Sequence, residues 1–150
     1  KVMDEDLQEQ ISASNMTTDE VLTLASIIQR EAANNDDMAM VSSVLHNRLE
    51  NGASQDIYTL DCDSTMYYPY RTIDDVPENE RDTFVSTYNT YTLRGLPPGP
   101  ICNPGMAAIE AALNPADTNY YYFCHDADGN AYYAQTAAEH QQNLVEAGLR

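Results

Sequence analysis

Positive charge is scarce. Seven Lys and Arg stand against 24 Asp and Glu in 150 residues, a formal net charge of −17. A surface that acidic repels phosphate backbones, which argues against nucleic acid as a partner, and it disfavours docking onto anionic lipid. Neutral and zwitterionic ligands stay open, as does acidity that serves solubility alone. Long apolar runs are also missing. None approaches the ~18 residues that read as a bilayer span, and there is no signal-peptide pattern. Cysteine is sparse. Cys62, Cys102 and Cys124 form no CxxC pair, and the nearest histidine, His125, merely adjoins Cys124. That disfavours zinc, and no metal is expected. The odd count permits one disulfide and a free thiol. The chain also lacks a phosphate-cradling glycine loop, a nucleophilic triad, internal repeats and low-complexity tracts.

What is present fits one domain with a respectable core, at 43% hydrophobic residues. The first residue is Lys rather than Met, which suggests a piece excised from a longer protein. Met3, Leu7 and Ile11 predict a short amphipathic helix over 3–13, ending near Asn15. Residues 1–16 therefore read as a connection to an upstream part, and 17–150 as the main domain. Thr17 and Glu20 form a capping box for a helix stopping near Asn34–Asn35. A helix over 36–50 follows, with an acidic first turn and an Asn51–Gly52 stop. Residues 57–70 read as extended, and 71–87 as a charged surface loop with a helical turn. Asn103 is expected to cap a helix with Pro104 at its first position and Met106, Ile109, Ala112 and Leu113 on its apolar face. Two aromatic runs around Asp128–Gly129 predict a β-hairpin. Thr136 and Glu139 make a capping box for a last helix, 137–148. The fold class is α+β, mainly helical with a small antiparallel hairpin.

One carboxylate stands out. On a wheel of the 17–34 helix, Val21, Leu24, Ala25, Ile28 and Ala32 form the buried face, Ile27 widens it, and Ser26, Thr23 and Arg30 fall outside. Glu31 lies inside that apolar arc. An ionised, unpaired carboxylate there costs several kcal/mol, and burial raises its pKa toward what a general acid needs at neutral pH. The alternative is a structural ion pair, for which Arg48 is available on the apolar side of the next helix. From the pattern alone the two readings are equally open. In "LDCDST", Asp61 and Asp63 suit a second catalytic carboxylate, metal ligands or turn residues, the last being the commonest fate of such Asp. His46 and His140 fall on polar flanks and read as solvated. The stretch "YNTYTLRGLPPGPICNPG", residues 88–105, holds four of the seven prolines and three of the six glycines, and reads as stiff and ordered rather than as a linker.

The segments "LTLASIIQREA", "SSVLHNRLENG", "LDCDST", "YNTYTLRGLPPGPICNPG", "AAIEAALNPADTNYYYF" and "TAAEHQQNL" occur in that order. Together they resemble the YceG-like family, the MltG-type endolytic murein transglycosylases of bacteria, across nearly all of residues 17–148. The resemblance implies a YceG-like catalytic domain that cuts nascent peptidoglycan glycan strands within the chain, beside the cell-wall synthesis machinery. It implies a single-pass N-terminal membrane anchor outside this chain, a catalytic domain on the extracytoplasmic side, and no cofactor. The family's catalytic Glu closes the motif that here reads Ala25-Ser26-Ile27-Ile28-Gln29-Arg30-Glu31, so the role falls on Glu31. Substrate contacts are implied for Asp61, Asp63, Ser64, Thr65, Tyr88, Asn89, Thr90, Tyr91, Leu96, Pro97, Pro98 and Asn103, with Arg48 structural near the site. Three departures stand beside the resemblance. Gln29 replaces a frequent Glu, Asp61-Cys62-Asp63-Ser64-Thr65 replaces Gln-Ser-Asp-Pro-Thr, and Cys102 replaces Ala or Ser.

A lytic transglycosylase manages with one carboxylate, which protonates the glycosidic oxygen and then takes a proton from the muramic 6-hydroxyl as the 1,6-anhydro ring closes. The rivals are a muramidase-type hydrolase and a non-catalytic peptidoglycan-binding module. Three further expectations follow. The Pro/Gly stretch forms a wall of the glycan groove, or else simply packs on the Glu31 helix. Arg48 pairs with Asp63 or Asp61 rather than with Glu31. Cys62 and Cys102 lie near each other beside the groove, with a disulfide between them left open, while Cys124 is buried in the hairpin.

Overall fold

The computed structural model describes residues 5–150; Met3, expected in the first helix, lies outside them. The elements run α1 (Glu5–Ala13), α2 (Thr18–Glu31), α3 (Asn35–Asn51), α4 (Met106–Leu113), β1 (Tyr122–His125), β2 (Ala131–Ala134) and α5 (Ala137–Glu146), with four short 3-10 turns between α3 and α4. Helix α2 is the centre. Its Val21, Leu24, Ala25, Ile27 and Ile28 join Leu7 and Ile11 of α1, Met38, Val41 and Leu45 of α3, and Ala108, Ile109 and Ala112 of α4 in one core. The strands pair antiparallel, Tyr122 opposite Ala134 and His125 opposite Ala131.

Both capping boxes form. Thr17 and Thr136 each accept from the backbone N–H three residues on, and Glu20 and Glu139 reach back to the cap. Helix α2, however, stops at Glu31, short of Asn34–Asn35. Asn34 is already committed as the α3 N-cap, accepting from the Asp37 N–H, and Asp37 in turn accepts from Ala33 N–H. Gly52 does not end α3 in a left-handed turn. Its φ is −59°, the chain continues into a 3-10 turn, and the left-handed residue is Asp56 at φ 60°. Glycine is needed at 52 for close approach instead, because a Cβ there would lie 2.5 Å from the Ile57 carbonyl oxygen.

Residues 57–70 pair with no strand. Their second half turns through a 3-10 segment, Asp63–Thr65. Asn103 caps nothing: α4 begins at Met106 with Gly105 at its N-cap and no side-chain cap bond. The Gly105 N–H donates instead to Gln29 Oε1 at 2.9 Å, and Met106 is exposed rather than part of the core. Ser26, placed outside the buried face by the wheel, is fully buried. It accepts from the Ile101 N–H at 3.0 Å while donating to the Thr23 carbonyl. Helix α2 is thus covered on more than one side, and the segment after the prolines is hydrogen-bonded to it through Ser26 and Gln29.

Candidate active site

Glu31 is the last residue of α2, and it opens into a cleft of about 550 Å3. Asp61, Asp63 and Tyr91 line the cleft from one side; the hairpin residues Tyr122 to His125 and the α5 residues His140 and Leu144 line it from the other. The Ser64 N–H, at the start of the 3-10 turn, donates to Glu31 Oε2 at 2.9 Å. Burial is the largest influence on the Glu31 carboxyl and raises its pKa above the ordinary 4.5. The Ser64 hydroxyl and N–H oppose this, Asp63 reinforces it, and His125 opposes it weakly. The negative end of the α2 dipole acts in the same direction as burial. The Ser64 hydroxyl is buried without a well-aligned hydrogen-bond partner, so its effect on Glu31 is through proximity.

Arg48 is buried, its side chain only 8% exposed, and it pairs with Asp61 rather than with Glu31. Its Nη2 lies 3.1 Å from Asp61 Oδ2, its Nε donates to the Thr59 carbonyl and its Nη1 to the Tyr121 carbonyl. One guanidinium therefore ties α3 to the 59–61 segment and to the residue before β1. Asp61 is itself held, its other oxygen accepting from the Thr59 hydroxyl, and it sits at a left-handed φ of 56°. Asp63 accepts a short hydrogen bond from the Tyr91 hydroxyl. Burial and that bond raise the Tyr91 pKa, so the phenol stays protonated.

The other expected substrate residues separate. Thr65 and Thr90 are fully buried, and their hydroxyls bond each other at 2.8 Å. Thr90 also accepts from the Cys62 N–H. They offer a ligand no surface; they fix the loop that delivers Ser64 to Glu31. Tyr88 packs against the core, its ring 4.4 Å from that of Tyr68. Asn89 spends its side chain on the Tyr91 N–H. Leu96 packs against the core and Pro97 is buried, while Pro98 and Asn103 are exposed and line no part of this cleft. From residues 88–105 only Tyr91 reaches the cleft wall.

The opposite wall is what sequence reasoning missed. His125, at the end of β1, lies 2.6 Å through Nε2 from Asp37 Oδ2, and Asp37 is buried at the start of α3. His140 is not solvated: it stacks on Tyr122 with centroids 5.0 Å apart, its Nδ1 is buried and unpartnered, and burial lowers its pKa. His46 is likewise engaged, with Nε2 2.7 Å from the Ala112 carbonyl oxygen. The aromatic run identified the hairpin, but nothing in its alternation signals that it folds back over the end of α2.

All three cysteines are free. Cys62 is buried against the Thr90 loop and Cys102 lies against the Ser26 carbonyl. The disulfide left open between Cys62 and Cys102 is not formed, and of the three thiols it is Cys124 that lines the cleft. Among the described residues no cluster of side chains suits a metal ion.

The chain matches the YceG-like family over residues 1–146. An endolytic murein transglycosylase of Bacillus subtilis (strain 168) is 33% identical over 138 residues, 92% of this chain and 37% of that protein. One from Streptococcus pneumoniae serotype 2 is 32% identical over 140 residues, 91% of this chain and 25% of that one. The crystal structure of a yceG-like protein from Listeria monocytogenes gives a TM-score of 0.76 at 33% identity, covering 92% of this chain and 44% of that one. The chain spans well under half the length of the curated relatives it matches. The match takes in the Glu31 helix, the loop that contacts it and the hairpin that closes the cleft, and this chain belongs to the YceG-like family.

Proposed function

We propose that this chain carries the active site of an endolytic peptidoglycan lytic transglycosylase, with Glu31 as its single acid–base. The carrying observation is a carboxyl with raised pKa in a cleft, touched by one backbone N–H. Glu31 protonates the glycosidic oxygen between N-acetylmuramic acid and N-acetylglucosamine. The resulting carboxylate takes the proton of the muramic 6-hydroxyl as that oxygen closes on C1, leaving a 1,6-anhydro end. The Ser64 N–H steadies the carboxylate formed between the two steps. Peptidoglycan strands are the substrate, met beside the cell-wall synthesis machinery on the extracytoplasmic side of a membrane to which an N-terminal span anchors the protein. No described helix is itself long and apolar enough to cross a membrane.

Hydrolysis is the second reading, favoured by Asp63, which faces the same cleft. A hydrolase would use it as base or nucleophile, at about 5 Å from the acid for retention or further for inversion. Asp63 is engaged by Tyr91 and Asp61 by Arg48 and Thr59, which suits positioning better. Mass spectrometry of digested, purified glycan strands decides. Anhydro ends are expected from the unmodified protein, with a loss of about 10²–10⁴-fold in rate for Glu31→Gln. Reducing ends that disappear in Asp63→Asn would establish the hydrolase, and uncleaved strands a binding module.

A further inference from the structure

A second cavity of about 230 Å3 shares Arg48 and Leu60 with the Glu31 cleft. Its floor is apolar, with Leu49, Leu60 and Ile57. At its rim Tyr58 is 45% exposed, and the Arg94 guanidinium lies 4.6 Å from the centre of its ring. Among the described residues Arg94 has no carboxylate partner. Gly95, at φ 78°, turns the chain immediately after Arg94, and a Cβ added there would lie 3.9 Å from Leu49. None of this is needed for the chemistry at Glu31, and the core is complete without Tyr58.

We infer that the Tyr58–Arg94 cavity is a further saccharide subsite, taking a sugar ring of the glycan strand remote from the bond being cut. The inference rests on the reading of the Glu31 cleft as a glycan site. Three features support it. The cavity meets the cleft at Arg48 and Leu60, so one strand can run from one into the other. It is smaller than the ~300–1,000 Å3 of sites that enclose a whole ligand, as suits one ring of a longer polymer. Its groups match a sugar: an aromatic surface for the C–H face of the ring, and guanidinium donors for hydroxyl and N-acetyl oxygens. Arg94 stacked on Tyr58 fixes the platform before binding, which limits the ordering cost. Such a subsite suits cutting within a strand, because it rewards substrate that continues past the cleft.

The test uses the full-length protein carrying Glu31→Gln, so that binding is read without cleavage. Glycan strands with and without stem peptides, and tetrasaccharides derived from the peptide-free strands, are titrated calorimetrically. Adding Tyr58→Ala is expected to weaken long-strand binding on the order of three- to tenfold and to leave tetrasaccharide binding unchanged. Tyr58→Phe keeps the platform and is expected to bind long strands as the parent does, which separates stacking from any loss of fold. Arg94→Ala is expected to weaken the same substrates as Tyr58→Ala. Unchanged long-strand binding, or equal weakening of long and short substrates, overturns the subsite. So does a loss confined to strands that still carry stem peptides, which would assign the cavity to peptide. Failure of the Glu31 reading looks different: the unmodified protein then leaves strands uncut whatever residue 58 is.

Discussion

The Glu31 carboxyl is held above the ordinary 4.5 mainly by burial, and that has a consequence for stability with a definite sign. The folded chain binds this proton more tightly than the unfolded chain does. The group therefore favours folding at low pH, and the advantage is lost as pH rises from the ordinary carboxylate range through the raised folded pKa. Gln at position 31 removes the cost of the buried charge and keeps an oxygen for the Ser64 N–H. Thermal unfolding of Glu31→Gln is expected to match the unmodified protein near pH 4 and to exceed it at pH 7. Equal unfolding temperatures at pH 7 would mean that the fold compensates the charge, contrary to the raised pKa. Glu31 and Arg48 were both visible on helical wheels, because each interrupts an apolar face. Ser26 was not: a wheel assumes one buried side, and α2 has more. Thr65 and Thr90 were misread for a related reason. A hydroxyl beside a motif reads the same whether it faces ligand or the loop behind it.

At the scale of elements, caps were the most legible feature, since a Thr with Glu three residues on states a helix start in purely local terms. The start of α4 was not, because its position depends on the distant Gln29 accepting from Gly105. The hairpin was legible as a hairpin, but its placement over the cleft comes from the Arg48–Tyr121 and His125–Asp37 bonds. His140 shows what that placement does. Burial first, then Arg48 and Arg150, lower its pKa below 6.5. Its neutral form belongs to the folded state, so the associated stability is full above about pH 6.5 and is lost as pH falls from there through the depressed folded pKa. His140→Phe keeps the ring stacked on Tyr122 and removes the unpartnered Nδ1. It is expected to raise protection of the hairpin and α5 amides against hydrogen exchange at pH 5 relative to the unmodified protein, with little difference at pH 8. His140→Ala is expected to lose about 1 kcal/mol with the stacking. A Phe variant that tracks the unmodified protein at both pH values would mean that His140 does not couple this wall to pH.

Charge acts on the molecule as a whole. With 24 acidic and seven Lys and Arg residues, most carboxylates have no cation to meet. Among the described residues a single ion pair joins a Lys or Arg to an acid, Arg48 with Asp61, and the other two involve histidine. Salt therefore has little attraction to weaken and much repulsion to screen. At 0.01 M ionic strength the screening length is about 30 Å, so carboxylates across a small domain repel one another; at 0.15 M it is about 8 Å. Self-repulsion of this kind opposes the compact state, and relief of about 1 kcal/mol corresponds to some 2–4 °C in a chain of this size. Thermal unfolding is accordingly expected to move up by a few degrees between 0.01 and 0.15 M NaCl at pH 7. Near pH 4, where many carboxylates are neutral, the shift is expected to shrink. A flat or falling response at pH 7 would place the acidic residues far enough apart, or in enough pairs, that the net charge costs the fold nothing. The same repulsion bears on substrate. Peptide-free glycan carries the free lactyl carboxylates of its muramic residues, so its binding by Glu31→Gln is expected to strengthen modestly as salt rises over this range, because screening relieves the repulsion between two anions. A steep fall in affinity with salt would mean that a charged group on the strand is being attracted, and would return attention to Arg94 and Arg150, which line the cavities beside the Asp61-paired Arg48.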